Sequence, residues 1–176
     1  MSSQQSLAGT KVVDAVGAPL LVYHGTNVAF AEFDTRRGDA SILPTNTLGS
    51  FFTPSAAVAA RYAGYKGGDT VVHVYLDLQD PLIVDFKEMQ RAIGSKKTLS
   101  ELRSRIGDRG AIVMRGGEVH EYIATKPEQI TRTVPDTKFG SSMERVDEFA
   151  APRKWRGRRA NRPGTHSEHE VDQCQH

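Results

Sequence analysis

Three short sequence groups combine side chains with spacings that can support chemistry. In YHGT, His24 can hydrogen-bond a ligand, and the glycine after it lets that ligand approach the backbone closely. In GSFFTPSAAVAARYA, Phe51 and Tyr62 are two aromatic rings that can flank a flat ligand. In EVHEYIA, Glu121 is a carboxylate beside apolar residues. Taken singly, such patterns more often reflect a His-Gly turn, core aromatics and a solvated carboxylate.

The elements that would position these groups are mostly strands. Apolar and β-branched runs bounded by turn residues predict strands at 19–23, 50–53, 70–78 and 81–86, and a hairpin at 111–125. Helices are predicted over 55–65 and 86–106. In this interpretation His24 lies at the end of the first strand, Glu121 opens the last one, and residues 35–48 form a long loop.

The distribution of charge and apolar residues divides the chain. Its 176 residues are enough for one domain with a sizeable core, and its formal net charge is +2. Residues 153–162 carry six basic side chains and no acidic one. We expect a folded domain over 12–135 and a basic, polar tail over 136–176 that is largely disordered, because the tail lacks apolar periodicity. The segment Arg153–Arg162 could contact nucleic acid or could simply be solvated.

Several classes of protein are excluded by the sequence. No stretch approaches the ~20 apolar residues of a transmembrane helix, and no secretory signal is visible. The single cysteine, Cys174, rules out an internal disulfide and a cysteine-rich zinc site, so no metal is expected. We therefore expect a cytoplasmic site of action without membrane attachment, which includes delivery into a host cell without a cleavable signal.

The order and spacing of the three groups carry a family resemblance. YHGT, GSFFTPSAAVAARYA and HEYIATKPEQI resemble the three motifs of the ADP-ribosyltransferase superfamily, in its branch with a His-Tyr-Glu signature that includes diphtheria toxin and the poly(ADP-ribose) polymerases. The flanking text is similar to the compact domains of phage and mobile-element polyvalent proteins. The resemblance covers residues 16–132. It implies an α+β fold in which two small antiparallel sheets surround an NAD cleft, with flanking helices.

The first two motifs of the resemblance imply the NAD-binding residues. His24 would hydrogen-bond the adenosine-side ribose, and Gly25 would hold the nicotinamide amide through its backbone, followed by the small hydroxyl residue Thr26. Phe51 and Tyr62 would stack on the nicotinamide, although Phe51 lacks the hydroxyl of the signature tyrosine. Alternatively, Tyr62 is itself the signature tyrosine.

One further position in the second motif departs from the family. Ala59 stands where a hydroxyl residue usually binds the nicotinamide amide. The resemblance also implies that arginines in the loop after the first motif reach the NAD pyrophosphate, and Arg37 or Arg36 could do this as a planar, bidentate donor.

The third motif supplies the catalytic carboxylate, which the resemblance places at Glu121. Glu118 and Glu128 are alternatives. Cleavage of the nicotinamide–ribose bond passes through an oxocarbenium-like state, which a fixed carboxylate stabilises.

The function implied is mono-ADP-ribosyl transfer from NAD, the co-substrate, to a macromolecular acceptor, with release of nicotinamide. A protein acceptor is favoured over nucleic acid, and the setting implied is a bacterial effector or toxin or a phage-derived modifier. Two alternatives stay open. One is an NAD glycohydrolase, which uses the same residues. The other is a catalytically degenerate module that binds NAD, ADP-ribose or nucleic acid, which the departures at Phe51 and Ala59 favour and the intact His24 and Glu121 oppose.

Overall fold

The computed structural model describes residues 7–28, 30–35, 43–132 and 137–138, the last two as backbone only. The fold is α+β. Its elements in chain order are β1 (Val22–Thr26), a 3-10 helix (Pro44–Leu48), β2 (Ser50–Phe52), α1 (Ala56–Tyr65), β3 (Thr70–Leu76), β4 (Leu82–Asp85), α2 (Phe86–Gly94), α3 (Lys96–Ile106), β5 (Ala111–Arg115), β6 (Glu118–Ala124), a second 3-10 helix (Pro127–Gln129), β7 (Ile130–Arg132) and β8 (Thr137–Lys138).

The first sheet is antiparallel and has β3 at its centre. The strand order is β1-β3-β7, and β8 also pairs with β3. His24 lies opposite Val72, and Arg132 lies opposite Val74. Because Val72 and Val74 are two residues apart on one strand, they point to the same face, and so do their cross-strand partners. His24 and Arg132 therefore share one face of this sheet.

The second sheet has the order β2-β6-β5-β4 and is mixed. Its pairs are antiparallel except β4 with β5, which is parallel. The expectation of two small antiparallel sheets therefore holds for the first sheet and is wrong for the β4–β5 pair of the second. The physical reason is that α2 and α3 lie between β4 and β5 in the chain, and a crossover of this length returns the next strand in the same direction.

Two apolar clusters flank the second sheet. The first joins inward residues of both sheets, and its members are Val12, Val22, Phe33, Phe52, Val72, Val74, Leu76, Leu78, Ile112, Tyr122 and Ala124. The second joins the opposite face of the second sheet to α2, α3 and the first 3-10 helix, with Leu48, Val84, Met89, Ala92, Leu102, Ile106, Ala111, Val113 and Ile123. The second sheet is thus covered on both faces, whereas α1 covers the outer face of the first sheet.

Helix α1 packs against β1 at very short range. It begins after Ser55, whose hydroxyl accepts a hydrogen bond from the Val58 amide at 3.4 Å. The contact with β1 is made at Gly25, where an added Cβ would lie 1.9 Å from the carbonyl oxygen of Ala59. Only glycine fits there, so the glycine of the first motif has a packing role.

Several element boundaries differ from the sequence expectations. β1 covers Val22–Thr26 and not 19–23, so His24 lies inside the strand. β6 begins three residues before Glu121, which therefore does not open it. The predicted loop 35–48 ends in a 3-10 helix. The hairpin turn was predicted correctly, because Gly116 and Gly117 both have positive φ, at 62° and 89°.

Replacing Gly25 by alanine should destabilise the protein by about 1–3 kcal/mol, because the new methyl group overlaps the backbone of α1. Gly64→Ala, in helix α1, is the matched control. No atom lies within 4 Å of the Cβ position there, and the variant should be up to about 1 kcal/mol more stable. Urea unfolding of both variants measures the difference. Equal effects of the two substitutions would contradict the close approach of α1 and β1.

Candidate functional site

His24 is held by a backbone carbonyl and surrounded by aromatic rings. Its Nδ1–H donates to the carbonyl oxygen of Phe51 at 2.7 Å. Its ring centroid lies 5.4 Å from that of Phe33 and 5.6 Å from that of Phe52. Burial lowers the pKa of His24 to about 4, and the nearby Lys66 charge lowers it slightly further, whereas the Phe51 hydrogen bond acts in the opposite direction. The imidazole is therefore neutral at physiological pH.

The protonation state of His24 determines what it offers a ligand. A neutral imidazole carries one ring proton, and the hydrogen bond to a carbonyl fixes that proton on Nδ1. Nε2 is then the acceptor. The ring is thus prepared to accept a hydrogen bond from a hydroxyl group.

The backbone of Gly25 is left open where β1 and β2 separate. Tyr23 exchanges both backbone hydrogen bonds with Thr53 of the β2 side, at 2.9 Å each. Gly25 is two residues further on, so its N–H and C=O also point away from β3. In a continued ladder they would pair with Phe51, but the Phe51 carbonyl is occupied by His24. Among the described residues outside β3, none hydrogen-bonds the Gly25 backbone.

Thr26, the third residue of the first motif, shapes the turn that follows β1. Its hydroxyl donates to the carbonyl of Val28 at 3.1 Å and accepts from the Val28 amide at 3.2 Å. The side chain is 5% exposed. Its hydroxyl is therefore engaged within the chain.

Glu121 lies in the middle of β6, on the face that carries the second apolar cluster. It is opposite Val113, and Phe51 is opposite Ile123, two residues further along β6. Glu121 and Phe51 are therefore diagonal neighbours on one face, a relation that typically separates residues by about 7–8 Å. Burial raises the pKa of Glu121 to about 7. Among the described residues, none donates a hydrogen bond to its carboxylate or forms an ion pair with it.

Tyr62 of α1 lies within electrostatic range of Glu121. Its pKa is raised, first by burial and second by the negative charge of Glu121. The side chain is 47% exposed, and its ring contacts Tyr65 edge-on at 6.5 Å. Glu121 of β6 is thus a diagonal neighbour of Phe51 of β2 and lies within electrostatic range of Tyr62 of α1.

A β-bulge changes the alternation of side chains along β6 immediately before Glu121. Val119 pairs with Met114 and Glu121 with Val113, so His120 is an extra residue without a cross-strand partner. Val119 consequently packs against the first apolar cluster, on the opposite face from Glu121. Without the bulge, the two side chains would share a face. Because of the bulge, Val119 faces the core between the sheets while Glu121 faces away from that core.

The alternative carboxylates, Glu118 and Glu128, lie at exposed positions. Glu118 is exposed opposite Arg115, and Glu128 is exposed in the second 3-10 helix. Ala59 is fully buried against Gly25, so its lack of a hydroxyl has a packing cause. Arg36 and Arg37 lie outside the described residues, as does the predicted tail apart from residues 137–138.

Sequence reasoning missed the residues that surround His24 from the following loop. Phe30 and Phe33 contact the imidazole, and Arg132 contacts Phe30. The signal was the repeated aromatic residue in AFAEF, within a segment that otherwise lacks regular pattern. Arg132 had no local signal, because its partners are about a hundred positions away.

Other features of the surface lie apart from this site. Two surface hollows, one at the start of α2 and one beside Gly9 and Pro19, are lined by none of the three motifs. Within the described ranges there is no cluster of three His, Cys, Asp or Glu side chains suited to a metal ion. In the same ranges no helix is long and apolar enough to cross a membrane.

Comparison with known proteins gives one match. The model of a family described as "ADP-Ribosyltransferase in polyvalent proteins" matches residues 14–137. This span includes all three motifs and every element from β1 to β7. No curated protein and no solved structure matches the chain.

Glu121→Gln should stabilise the fold at pH 8, by about 1–3 kcal/mol. The folded-state pKa is raised above the ordinary 4.5, so ionisation of the half-buried carboxyl costs stability as pH rises from about 4.5 to about 7. The gain should therefore shrink on going from pH 8 to pH 5. Urea unfolding at both pH values measures it.

Glu101→Gln is the control for this measurement, since it makes the same chemical change at an exposed position of α3. Among the described residues, the Glu101 carboxylate pairs only with Lys97, in an exposed ion pair at 3.9 Å, so its replacement should change stability by less than about 1 kcal/mol at either pH. A gain for Glu121→Gln that did not depend on pH would contradict a raised pKa of the half-buried Glu121 carboxyl.

Proposed function

Because the chain belongs to the family of ADP-ribosyltransferases found in polyvalent proteins, we propose that it transfers a single ADP-ribose from NAD to a macromolecular acceptor and releases nicotinamide. The observation that carries this proposal is the half-buried Glu121 carboxyl, which has no hydrogen-bond or ion-pair partner among the described residues and lies near Phe51 and Tyr62. An uncompensated ionisable group is costly for the fold and is therefore a candidate for function.

The other groups of the candidate site suit the chemistry of NAD. The Nε2 atom of His24 is an acceptor, so it suits a ribose hydroxyl. The open N–H and C=O of Gly25 offer one donor and one acceptor on the same side of the strand. They would pair with the C=O and the NH2 of a carboxamide group. The rings of Phe51 and Tyr62 would flank the nicotinamide, and a phenyl ring at position 51 stacks without needing a hydroxyl.

The role proposed for Glu121 is electrostatic. When the bond between nicotinamide and C1′ of the ribose breaks, the electron pair goes to the pyridinium nitrogen and positive charge develops on the ribose. A fixed carboxylate next to that ribose stabilises this charge, and more strongly at a site sheltered from water than in bulk solvent. The acceptor nucleophile then bonds to C1′ and gives its proton to Glu121 or to solvent.

The acceptor and the setting extend this proposal. We favour a protein acceptor and action in the cytosol of a target cell, as an effector, a toxin or a phage-derived modifier. The family match to polyvalent proteins supports such a setting. Arg37 or Arg36 remains the proposed contact to the NAD pyrophosphate, because a guanidinium binds phosphate oxygens with two parallel hydrogen bonds.

Glu121→Gln should lower the rate of nicotinamide release by about 100-fold or more, because an amide supplies no negative charge to the developing cation. The assay uses NAD labelled on its adenine side, with the protein alone and in cell lysate. Glu101→Gln, remote on α3, is the matched control and should keep the wild-type rate. A Glu121→Gln rate within about threefold of wild type would remove this residue from catalysis.

The position of the label separates the possible activities. Label fixed to a protein band, and lost in Glu121→Gln, would support transfer to a protein. Label fixed to nucleic acid would change the acceptor class. Release of nicotinamide without fixed label in lysate would indicate hydrolysis of NAD. NAD-induced thermal stabilisation without release would indicate a binding module.

The rate of nicotinamide release should rise with pH through about 7, because only the ionised form of Glu121 stabilises the cation. The acid limb of a profile between pH 5 and pH 9 reports this ionisation. His24 is already neutral over this range, since its pKa is about 4. A rate independent of pH between 5 and 8 would contradict the need for the carboxylate.

A further inference from the structure

Two phenylalanines that follow β1 cover the imidazole of His24. Phe30 and Phe33 pack edge-on against it, with ring centroids at 6.2 Å and 5.4 Å, and against each other at 4.7 Å. Phe33 also contacts Phe52 at 5.2 Å. These rings belong to the segment 30–35, which contains no helix or strand. Something other than regular secondary structure must therefore hold the segment in place.

Arg132 of β7 makes the contacts that hold this segment. Its Nη1 donates to the carbonyl of Phe30 and to that of Ala31, the latter at 2.9 Å. Its guanidinium carbon lies 5.4 Å from the centroid of the Phe30 ring. One side chain therefore fixes both the backbone and the ring of the segment.

The position of Arg132 in the sheet is unusual for a charged residue. It shares the face of Val74, and Ile130, two residues earlier, packs against the first apolar cluster. An inward-pointing charge on a strand at the edge of a sheet can serve to prevent edge-to-edge association. The contacts of Arg132 run to the segment beside His24, however, which points to a different purpose.

A second anchor ties the other end of the segment. The hydroxyl of Thr35 donates to the carbonyl of Thr125 at 2.9 Å, and Thr35 is 5% exposed. The amides of Thr125 and Lys126 both donate to the side-chain oxygen of Gln129, at 2.8 Å and 3.0 Å. Both anchors thus lie on the chain that runs from the end of β6 to β7.

We propose that Arg132 is a positioning residue that, together with Thr35, fixes the segment 30–35 over His24 and so sets the orientation of the imidazole that receives NAD. The inference rests on the proposed function for its ligand. Its structural part, the dependence of His24 on Arg132, stands independently of any activity.

The physical consequence of losing an anchor follows from the aromatic cover. Without the cover, more of the imidazole is exposed to water and the ring can leave the Phe51 carbonyl. NAD must then order the segment when it binds, which weakens binding but leaves Glu121 in place. The loss should therefore appear in KM and only weakly in kcat.

The test uses Arg132→Ala, Arg132→Lys and Thr35→Val in the full chain. Lysine keeps the charge but not the planar fork, and Thr35→Val keeps every charge while removing the second anchor. Arg109→Ala is the matched control, because Arg109 also donates to a backbone carbonyl, that of Arg105 at 2.9 Å, on a part of the surface outside the site. The readouts are NMR titration of the His24 ring without NAD, and KM and kcat for nicotinamide release.

We expect the pKa of His24 to rise from about 4 to about 5 or higher in Arg132→Ala, because the ring becomes solvated. Thr35→Val should move it in the same direction, and Arg132→Lys should recover part of the wild-type value. KM for NAD should rise by about 3- to 10-fold in Arg132→Ala, the cost of ordering one or two side chains, with kcat within about twofold. Arg109→Ala should match wild type in all readouts.

An unchanged His24 titration in both Arg132→Ala and Thr35→Val would overturn the proposal, since the imidazole would then not depend on either anchor. If Arg132→Ala does not fold, Thr35→Val decides alone. Failure of the proposed function is distinguishable: it would leave the wild-type protein without nicotinamide release, while the NMR result for His24 would still stand or fall by itself.

Discussion

The hydrogen bond from His24 to the Phe51 carbonyl is the interaction around which the site is built. It joins the two sheets at the point where β1 and β2 separate. It occupies the Phe51 carbonyl, which would accept from the Gly25 N–H if the pairing of β1 with β2 continued past Tyr23 and Thr53. Two consequences follow at once: the ring proton is fixed on Nδ1, and the side of the Gly25 backbone that faces away from β3 stays open. A continuous ladder would have closed the space that these groups surround.

Several features around this junction are unfavourable for the stability of the fold. Glu121 is a carboxyl placed where burial raises its pKa to about 7, and His24 is an imidazole kept neutral by aromatic cover. A bulge at His120 interrupts β6 so that the core between the sheets is filled while Glu121 faces the other way. Such departures from regular patterning are expected where binding or chemistry is required, because a fold selected for stability alone would avoid them.

Much of the fold was readable from local pattern. The runs around β3, β5 and β6 predicted the central strands and their hairpin, which turns at Gly116 and Gly117, and the helix predicted over 55–65 corresponds to α1. The boundaries of β1 and the parallel pairing of β4 were not readable, because strand pairing depends on partners far away in the chain. β7 is only three residues long, so it carries too little pattern to be recognised.

The sequence by itself determined the three motifs, their order and the family to which the chain belongs, because each motif is contiguous and its residue types are fixed by local chemistry. Only the tertiary structure decided why Gly25 is glycine, why Ala59 carries no hydroxyl, and which face of β6 Glu121 occupies. It alone brought Arg132 to the phenylalanines beside His24. These facts rest on contacts between residues that are distant in the chain, and burial, register and close approach exist only after those residues have been packed together.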